Sequence, residues 1–290
     1  MSFIVIVVAL LLDQVLRLIE HLRLHRWYEA PLASWAGSVK GASATVQLLA
    51  ALALSFAIAF VVGAIGWGFA SASAVLGFIY AVLVLVLCLG PRNLNIEISA
   101  YLKARAAGDA EGARQSAALL LEGEPPQDAQ ECGQALAEAA FVRAGDWLFS
   151  VLFWFALLGP LGAALFRCAD VIAVRAARDC PGSAYAHAAK RLKLVMAWVP
   201  MHLLAFTYAI AGSFDEAMGD IRRSWRDTGM HFLERGAAVV LCAGRIAIRG
   251  IAGDEKDEVE LLHAAVDLIW RSVVIWLAVI GVITLLGWLF

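Results

Sequence analysis

Residues 41–91 read GASATVQLLAALALSFAIAFVVGAIGWGFASASAVLGFIYAVLVLVLCLGP, and none of these 51 residues is charged. A helix crosses a hydrocarbon core roughly 30 Å thick with about 20 residues, so the stretch is long enough for two crossings. It predicts a transmembrane hairpin with spans near residues 46–66 and 72–89. Two glycines and the interfacial side chain Trp67 favour a turn within residues 66–71.

The composition of the whole chain is that of a membrane protein. Of 290 residues, 62% are hydrophobic and 17% are charged, whereas a soluble chain carries about 25% charged residues. Uncharged stretches at residues 147–166, 194–214 and 272–290 predict one further span each. Residues 1–12 are too short to span alone, so we expect them to be re-entrant, tilted or packed inside the bundle. The net charge of −2 gives no electrostatic basis for nucleic-acid binding.

The segments between the spans have helical rather than strand patterns. Ile98, Tyr101, Leu102 and Ala106 recur at helical spacing, a stop follows at 108–109, and a second helix is predicted over 110–121, with a loop at 122–126. The predicted fold is therefore all-α, a polytopic transmembrane helical bundle with amphipathic cytoplasmic helices. We expect one domain over residues 1–290, with extramembrane segments at 92–146 and 215–271.

The basic residues indicate the topology and one irregular span. Four Lys and Arg residues precede the hairpin, five lie in 92–146, six in 167–193 and eight in 215–271. If four spans separate these blocks, the positive-inside rule puts the first, second and fourth in the cytoplasm. The six basic residues of 167–193 then form a short loop on the translocated side, which the rule disfavours. We therefore expect one of the adjoining spans to be broken or re-entrant.

Standard catalytic motifs are absent, so any chemistry depends on scattered polar groups. There is no phosphate-binding loop, no dinucleotide fingerprint, no H-E-x-x-H and no G-x-S-x-G, and the five cysteines form no C-x-x-C pair. Asp13, Arg17, Glu20 and His21 share one face of the first predicted helix. They form either an acid–base or ligand-binding stripe or, as such spacings more often do, a solvated face with an intrahelical ion pair.

Three further polar residues lie beside or within predicted spans. Pro200 lacks an N–H and therefore frees the carbonyl of Met196, four residues back, and His202 follows at membrane depth. His202 is either a functional group or a neutral side chain bonded to a backbone carbonyl in a kinked helix. Asp146 and Asp170 bracket the span at 147–166 and are further candidates for catalysis. The residues indicate no metal site.

Four strings occur in order along the chain: LDQVLRLIEH at 12–21, YL to GD with AR within 101–114, LFWF to GPLGA within 152–163, and WVPMHL to AGSFDEA within 198–217. No single string is specific, whereas the ordered set is. Together they resemble the AmpE family of inner-membrane proteins associated with β-lactamase induction, and its relatives, the CobD/CbiB cobalamin-biosynthesis proteins.

The resemblance implies a bacterial inner-membrane, multi-pass regulator of the AmpE type, linked to β-lactamase induction and cell-wall stress, rather than an enzyme. The alternative is the CobD/CbiB activity, which joins an amino-alcohol phosphate to a corrinoid carboxylate with ATP. The chain resembles the enzyme branch at Asp146 and Asp170. It departs from that branch at Val142-Arg143, where the family has Glu-Asn, and at Val174, where the family has glycine.

A pocket implied by the resemblance lies at the cytoplasmic membrane face. Arg92 is its expected anion binder, Asp146 or Asp170 its metal or base group, and His202 its residue at the helix break, where the family has arginine. Magnesium and ATP are implied only by the enzyme reading. The expected partners are the lipid bilayer, a small-molecule or peptidoglycan-related ligand and a second copy of the chain.

Overall fold

A computed structural model describes residues 2–15, 43–89, 94–212, 232–252 and 257–287. The described residues form helices and no strand, which confirms the all-α prediction. Contacts divide the chain into two compact units. Unit 1 comprises Met1–Pro91, Ser150–Ala197 and Leu277–Phe290, and unit 2 comprises Arg92–Phe149 and Trp198–Trp276.

The helices are numbered in chain order. In the first half they are α1 Ser2–Val15, α2 Ala44–Ala72, α3 Ala74–Cys88, α4 Leu94–Ala106, α5 Ala110–Leu121 and α6 Ala129–Ala144. A π-helical turn, Gly145–Phe149, follows α6. In the second half they are α7 Ser150–Asp179, α8 Ala184–Ala211, α9 Arg235–Ala252 and α10 Glu258–Leu285.

Two consecutive helices occupy the predicted hairpin of unit 1, but the second, Ala74–Cys88, has only 15 residues and is shorter than a full span, and the turn lies later than predicted. The segment 66–71 is helical, and the chain breaks at the extended residue Ser73, with φ −163° and ψ 135°. Ser73 ends one helix by donating its N–H to Phe69 and begins the next by accepting from the N–H of Val75. The Tyr80 hydroxyl donates to the Val62 carbonyl at 2.7 Å and joins the two helices.

The first helix packs within unit 1, which is one of the arrangements expected for its apolar residues. Ile6 and Ala9 are fully buried. In α7, Gly159 has a φ of +63°, which divides this helix into two parts just before Pro160. A glycine tolerates this backbone conformation and side chains with a Cβ rarely do. The break expected in one span beside the 167–193 block therefore lies at Gly159.

The basic residues of 167–193 do not form the predicted loop. Helix α7 continues to Asp179, and α8 begins at Ala184 after a turn that contains Gly182, whose φ is +73°. The Ser183 hydroxyl accepts from the N–H of Ala186 at 3.0 Å and caps α8. The six cations are thus carried by helices, where some of them can be buried.

Four helical stretches among the described residues are long and apolar enough to cross a membrane. They are Leu52–Ala72, the apolar part of Ala129–Asp179, Ala184–Ala211 and Glu258–Leu285, and Ser2–Asp13 and Ala74–Cys88 are shorter apolar helices. The last helix extends the span predicted at 272–290 toward its N-terminal side. These helices support a polytopic membrane protein.

The helices of unit 2 begin and end where local sequence signals predict. Asp109 accepts from the N–H of Gly112 and Asp128 from the N–H of Glu131, each at 2.9 Å, as N-cap residues do. Glu122 ends α5 in the left-handed conformation, with a φ of 54°. The helix predicted over 110–121 and the loop after it are therefore confirmed.

Candidate functional site

Four of the predicted site residues, Arg17, Glu20, His21 and Arg92, lie outside the described residues, and their roles stay predictions. Asp13 lies near the end of α1 and is half-buried. Each of the remaining candidates has a defined environment. Asp170 belongs to unit 1, whereas Asp146 and His202 belong to unit 2.

Asp170 is 4% exposed and lies in a cluster of ionic side chains in unit 1. One carboxylate oxygen accepts from Arg167 at 2.8 Å, one helical turn earlier, and the other accepts from Lys193 of α8 at 2.9 Å. Both cations are themselves largely buried, with side-chain exposures of 9% and 20%. The carboxylate therefore fixes two cations in place between α7 and α8.

The donor set around Asp170 does not fit a magnesium site. Both oxygens that would bind a metal already accept from cations. Within the described residues, no group of three or more His, Cys, Asp or Glu side chains lies close enough to hold a metal ion. In nucleotide enzymes Mg²⁺ is usually held by one or two carboxylates together with substrate phosphates and water, and the two oxygens of Asp170 are already occupied by cations. The arrangement favours a structural role for Asp170, as the acidic partner of Arg167 and Lys193, over the metal or base role expected of it.

The carbonyl that Pro200 frees has a specific partner within unit 1. The indole N–H of Trp154 donates to the Met196 oxygen at 3.1 Å. Inside hydrocarbon an unsatisfied carbonyl would cost several kcal/mol, so this bond makes the proline tolerable in α8. It also attaches the first part of α7, before the Gly159 break, to α8.

His202, two residues after Pro200, bonds to a backbone carbonyl, as the non-functional interpretation of this residue predicts. Its Nδ1 lies 2.7 Å from the carbonyl oxygen of Trp198, so Nδ1 carries the proton and donates. The imidazole also lies 4.3 Å from the Trp198 ring, between centroids, and the Trp198 ring stacks on Phe232. With the proton on Nδ1, the basic nitrogen of the neutral ring is Nε2.

Asp146 lies on the π-helical turn. The backbone hydrogen bonds of such a turn join residues five apart, whereas those of an α-helix join residues four apart. Such turns occur frequently at functional sites. Gly145, its neighbour, packs so closely on Met201, the neighbour of His202, that a Cβ at Gly145 would collide with the thioether. The structure thus brings the chain segments of Asp146 and His202 together within unit 2.

A second buried carboxylate, absent from the sequence prediction, lies in unit 2. Glu258 is 3% exposed, and it accepts from the Tyr101 hydroxyl at 3.1 Å and from Nε of Arg105. The same hydroxyl lies 3.7 Å from the sulfur of Cys132. Burial is the main cause that raises the pKa of Tyr101, and the hydrogen bond to Glu258 is the main cause that raises the pKa of Arg105.

A cavity of about 220 Å³ lies beside this cluster. Its wall includes Tyr101, Arg105, Arg114 and Cys132 together with small alanines of α5 and the Pro125–Pro126 segment. In the part of the chain that the structure describes, no acidic side chain lines it. The cavity is therefore small and cationic.

Sequence reasoning missed this group because its members are far apart in the chain. Tyr101 and Arg105 stand one turn apart on a predicted helix. This spacing indicates that they share a face of the helix, but it does not indicate what that face contacts. Glu258 ends an acidic run, which ordinarily indicates a solvated segment. Nothing local places that carboxylate inside unit 2, 157 residues from Tyr101.

Comparison with known proteins identifies relatives for most of the chain. The model of the CobD/Cbib protein family matches residues 6–249. A cobalamin biosynthesis protein CobD of Stutzerimonas stutzeri (strain A1501) is 27% identical over 234 residues, covering 74% of this chain and 75% of that protein. One from Chromobacterium violaceum is 28% identical over 261 residues, covering 83% and 78%. No solved structure matches this chain.

These matches correct two expectations and support a third. The expected regulatory role of the AmpE type is wrong, and so is the expectation that the chain is not an enzyme, because the relatives carry the name of a biosynthetic protein. The matches do not confirm membership of the AmpE family itself. The resemblance to the enzyme branch is confirmed by a family model that covers most of the sequence, and the chain belongs to the CobD/CbiB family.

Proposed function

We propose that this chain is an amide-bond-forming enzyme of cobalamin biosynthesis, of the adenosylcobinamide-phosphate synthase type, in a bacterial inner membrane. It would join the amine of an amino-alcohol phosphate to a carboxylate of a corrinoid and consume ATP. The observation that carries the proposal is the family match over residues 6–249. The apolar helices, each long enough to cross a bilayer, support the location.

The proposed reaction makes specific demands on the protein. ATP must phosphorylate the carboxylate to an acyl phosphate and release ADP. The amine then attacks the acyl carbon, the C–O bond to phosphate breaks, and the amine loses a proton as the new C–N bond forms. Nε2 of His202 is the group that we assign to accept this proton, because the bond from Nδ1 to Trp198 fixes the ring and leaves Nε2 as its basic nitrogen. No step is assigned to a magnesium ion, since both oxygens of Asp170 already accept from cations.

The test uses the full chain purified in detergent or nanodiscs. A corrinoid carboxylic acid, an amino-alcohol phosphate and MgATP are supplied, and the amide product is measured by mass spectrometry with ATP consumption in parallel. We expect product and ATP use that both require the corrinoid. Absence of both, with a folded protein, would overturn the proposal. Deletion of the gene should likewise create a requirement for added cobinamide.

A matched pair of histidines tests the role of His202. His263 also places Nδ1 against the carbonyl four residues back, at 2.9 Å from Val259, but it is exposed. His202→Gln should lower turnover by about 100-fold, a usual loss for a general base. His263→Gln should leave turnover unchanged. Equal turnover in the two variants would remove His202 from the reaction while leaving the proposed function intact.

A further inference from the structure

We propose that the 220 Å³ cavity of unit 2 binds the phosphate group of a small phosphate monoester through Arg105 and Arg114. Under the proposed function, on which the identity of the ligand rests, this monoester is the amino-alcohol phosphate. None of the predicted site residues that the structure describes, namely Asp13, Asp146, Asp170 and His202, lines this cavity. The proposal therefore assigns a second group of residues to substrate binding.

The first step of the argument is charge. Arg105 and Arg114 both line the cavity, whereas no acidic side chain of the described residues does. Arg114 is exposed and has no ion-pair partner among the described residues. A guanidinium presents several N–H donors in a fork that matches phosphate oxygens, so two of them on one small wall favour an oxyanion.

The second step is preorganisation. Glu258 is buried and bonds Nε of Arg105, while the Tyr101 hydroxyl occupies its other oxygen. The guanidinium is thereby fixed through one edge, and its two Nη groups have no partner among the described residues. A cation that is already held in place loses less conformational entropy on binding an anion. The Glu258 carboxylate thus positions Arg105.

The third step is size. Sites for drug-sized ligands measure about 300–1,000 Å³, and this cavity is smaller. Alanines make the room on the α5 side, because Ala113 and Ala117 contribute only methyl groups to the wall. A corrinoid is too large to enter, and a whole nucleotide is poorly accommodated. The phosphate of a short amino alcohol fits both the volume and the charge.

The experiment measures binding to the full chain in detergent by isothermal titration. The probes are O-phosphoethanolamine, ethanolamine, inorganic phosphate and ATP. We expect binding of O-phosphoethanolamine, competition by inorganic phosphate and no binding of ethanolamine. Preferential, Arg114-dependent binding of ATP would overturn the assignment to a small monoester.

Three variants locate the binding. Arg114→Gln, on an exposed side chain, should weaken O-phosphoethanolamine binding about tenfold, as loss of a charge-assisted hydrogen bond does. Arg105→Gln should weaken it at least as much, and Arg105→Lys tests whether charge without the fork suffices. Arg249→Gln changes an exposed arginine of the same unit that lies outside the cavity wall, and it should bind like the unaltered protein. Unchanged binding in Arg114→Gln and Arg105→Gln would overturn the proposal.

The same variants separate this proposal from the proposed function. If the unaltered chain forms the amide, Arg114→Gln should raise the KM for the amino-alcohol phosphate and leave kcat nearly constant. An unchanged KM would overturn the cavity as the substrate site and leave the enzyme function standing. Arginine-dependent binding of O-phosphoethanolamine without any turnover would support the cavity and refute the enzyme function.

Discussion

Asp170 in unit 1 and Glu258 in unit 2 are both almost completely buried, and each accepts two donors, one on each oxygen. Their partners differ in kind. Asp170 holds two cations that are themselves largely buried, one of them three residues away in the same helix. Glu258 holds one half-exposed cation and one neutral phenol, both from a helix more than 150 residues earlier in the chain.

The difference separates two uses of a buried carboxylate. Removing the charge of Asp170 would take an acidic partner from two largely buried cations, and breaking a buried ion pair is costly. Removing the charge of Glu258 would leave Arg105, which is 40% exposed and can hydrate. Asp170 thus mainly neutralises charge, whereas Glu258 mainly connects distant segments. Four substitutions test this comparison, from the largest expected effect to the smallest.

Asp170→Asn should lower the free energy of unfolding by about 3–5 kcal/mol, because Arg167 and Lys193 both lose an acidic partner in a buried site. Thermal unfolding in detergent, followed by circular dichroism, measures the change. Adding Lys193→Met should recover part of the loss, since it removes one of the two cations that pair with Asp170. A loss below about 1 kcal/mol would contradict the neutralising role.

Glu258→Gln should lower the free energy of unfolding by about 1–3 kcal/mol, the cost of disturbing hydrogen bonds to a charged group. The loss is smaller than for Asp170→Asn because water can solvate Arg105. The same unfolding assay measures it, with Glu260→Gln, on a nearby exposed carboxylate of α10, as the control. A loss equal to that of Asp170→Asn would show that the two carboxylates are not used differently.

Tyr101→Phe should lower the free energy of unfolding by about 0.5–1.5 kcal/mol, the net value of one hydrogen bond. The pKa of Tyr101 is raised above its ordinary value of about 10. The Tyr101 hydroxyl therefore contributes its full stabilisation below pH 10. This stabilisation is lost as the pH rises above 10 and passes the higher pKa of the folded state. Unfolding from pH 8 to pH 11 should show a steeper loss above pH 10 in the unaltered protein than in Tyr101→Phe.

Arg245→Gln should have the smallest effect, about 0.2–1 kcal/mol, although its Nε lies only 2.6 Å from Glu138. The arginine side chain is 49% exposed, so solvent and salt screen the pair. Unfolding at low and high salt measures the effect, which should shrink at high salt. An effect as large as that of Glu258→Gln would show that burial does not set this order.

The elements that the sequence predicted well carry local signals. The glycine–aspartate stop, the helix over 110–121 and the proline loop stand where the structure has them, and Asp109 caps that helix. The hairpin followed from length and lack of charge alone. Its turn did not, because Gly66 and Gly68 continue a helix within the bundle and the extended residue is Ser73.

The site could be predicted only in part, because most of its contacts join residues that are far apart in the sequence. Pro200 indicated a freed carbonyl, since that consequence depends on one residue type, but the donor, Trp154, stands 42 residues earlier. The basic residues of 167–193 indicated a loop because charge ordinarily means solvent, whereas Asp170 allows two of them to be buried. The pairing of Glu258 with Tyr101 depends on the tertiary fold and has no local signal.

The bond from the Trp154 indole to the Met196 carbonyl makes two distant positions dependent in evolution. A chain that lost Pro200 would regain a backbone donor for that carbonyl, and the indole N–H would no longer be needed to satisfy it. A chain that lost Trp154 would leave the carbonyl unsatisfied for as long as the proline remained. Across relatives we therefore expect these two positions to be inherited as a pair, with Trp154 replaced mainly where Pro200 is also replaced.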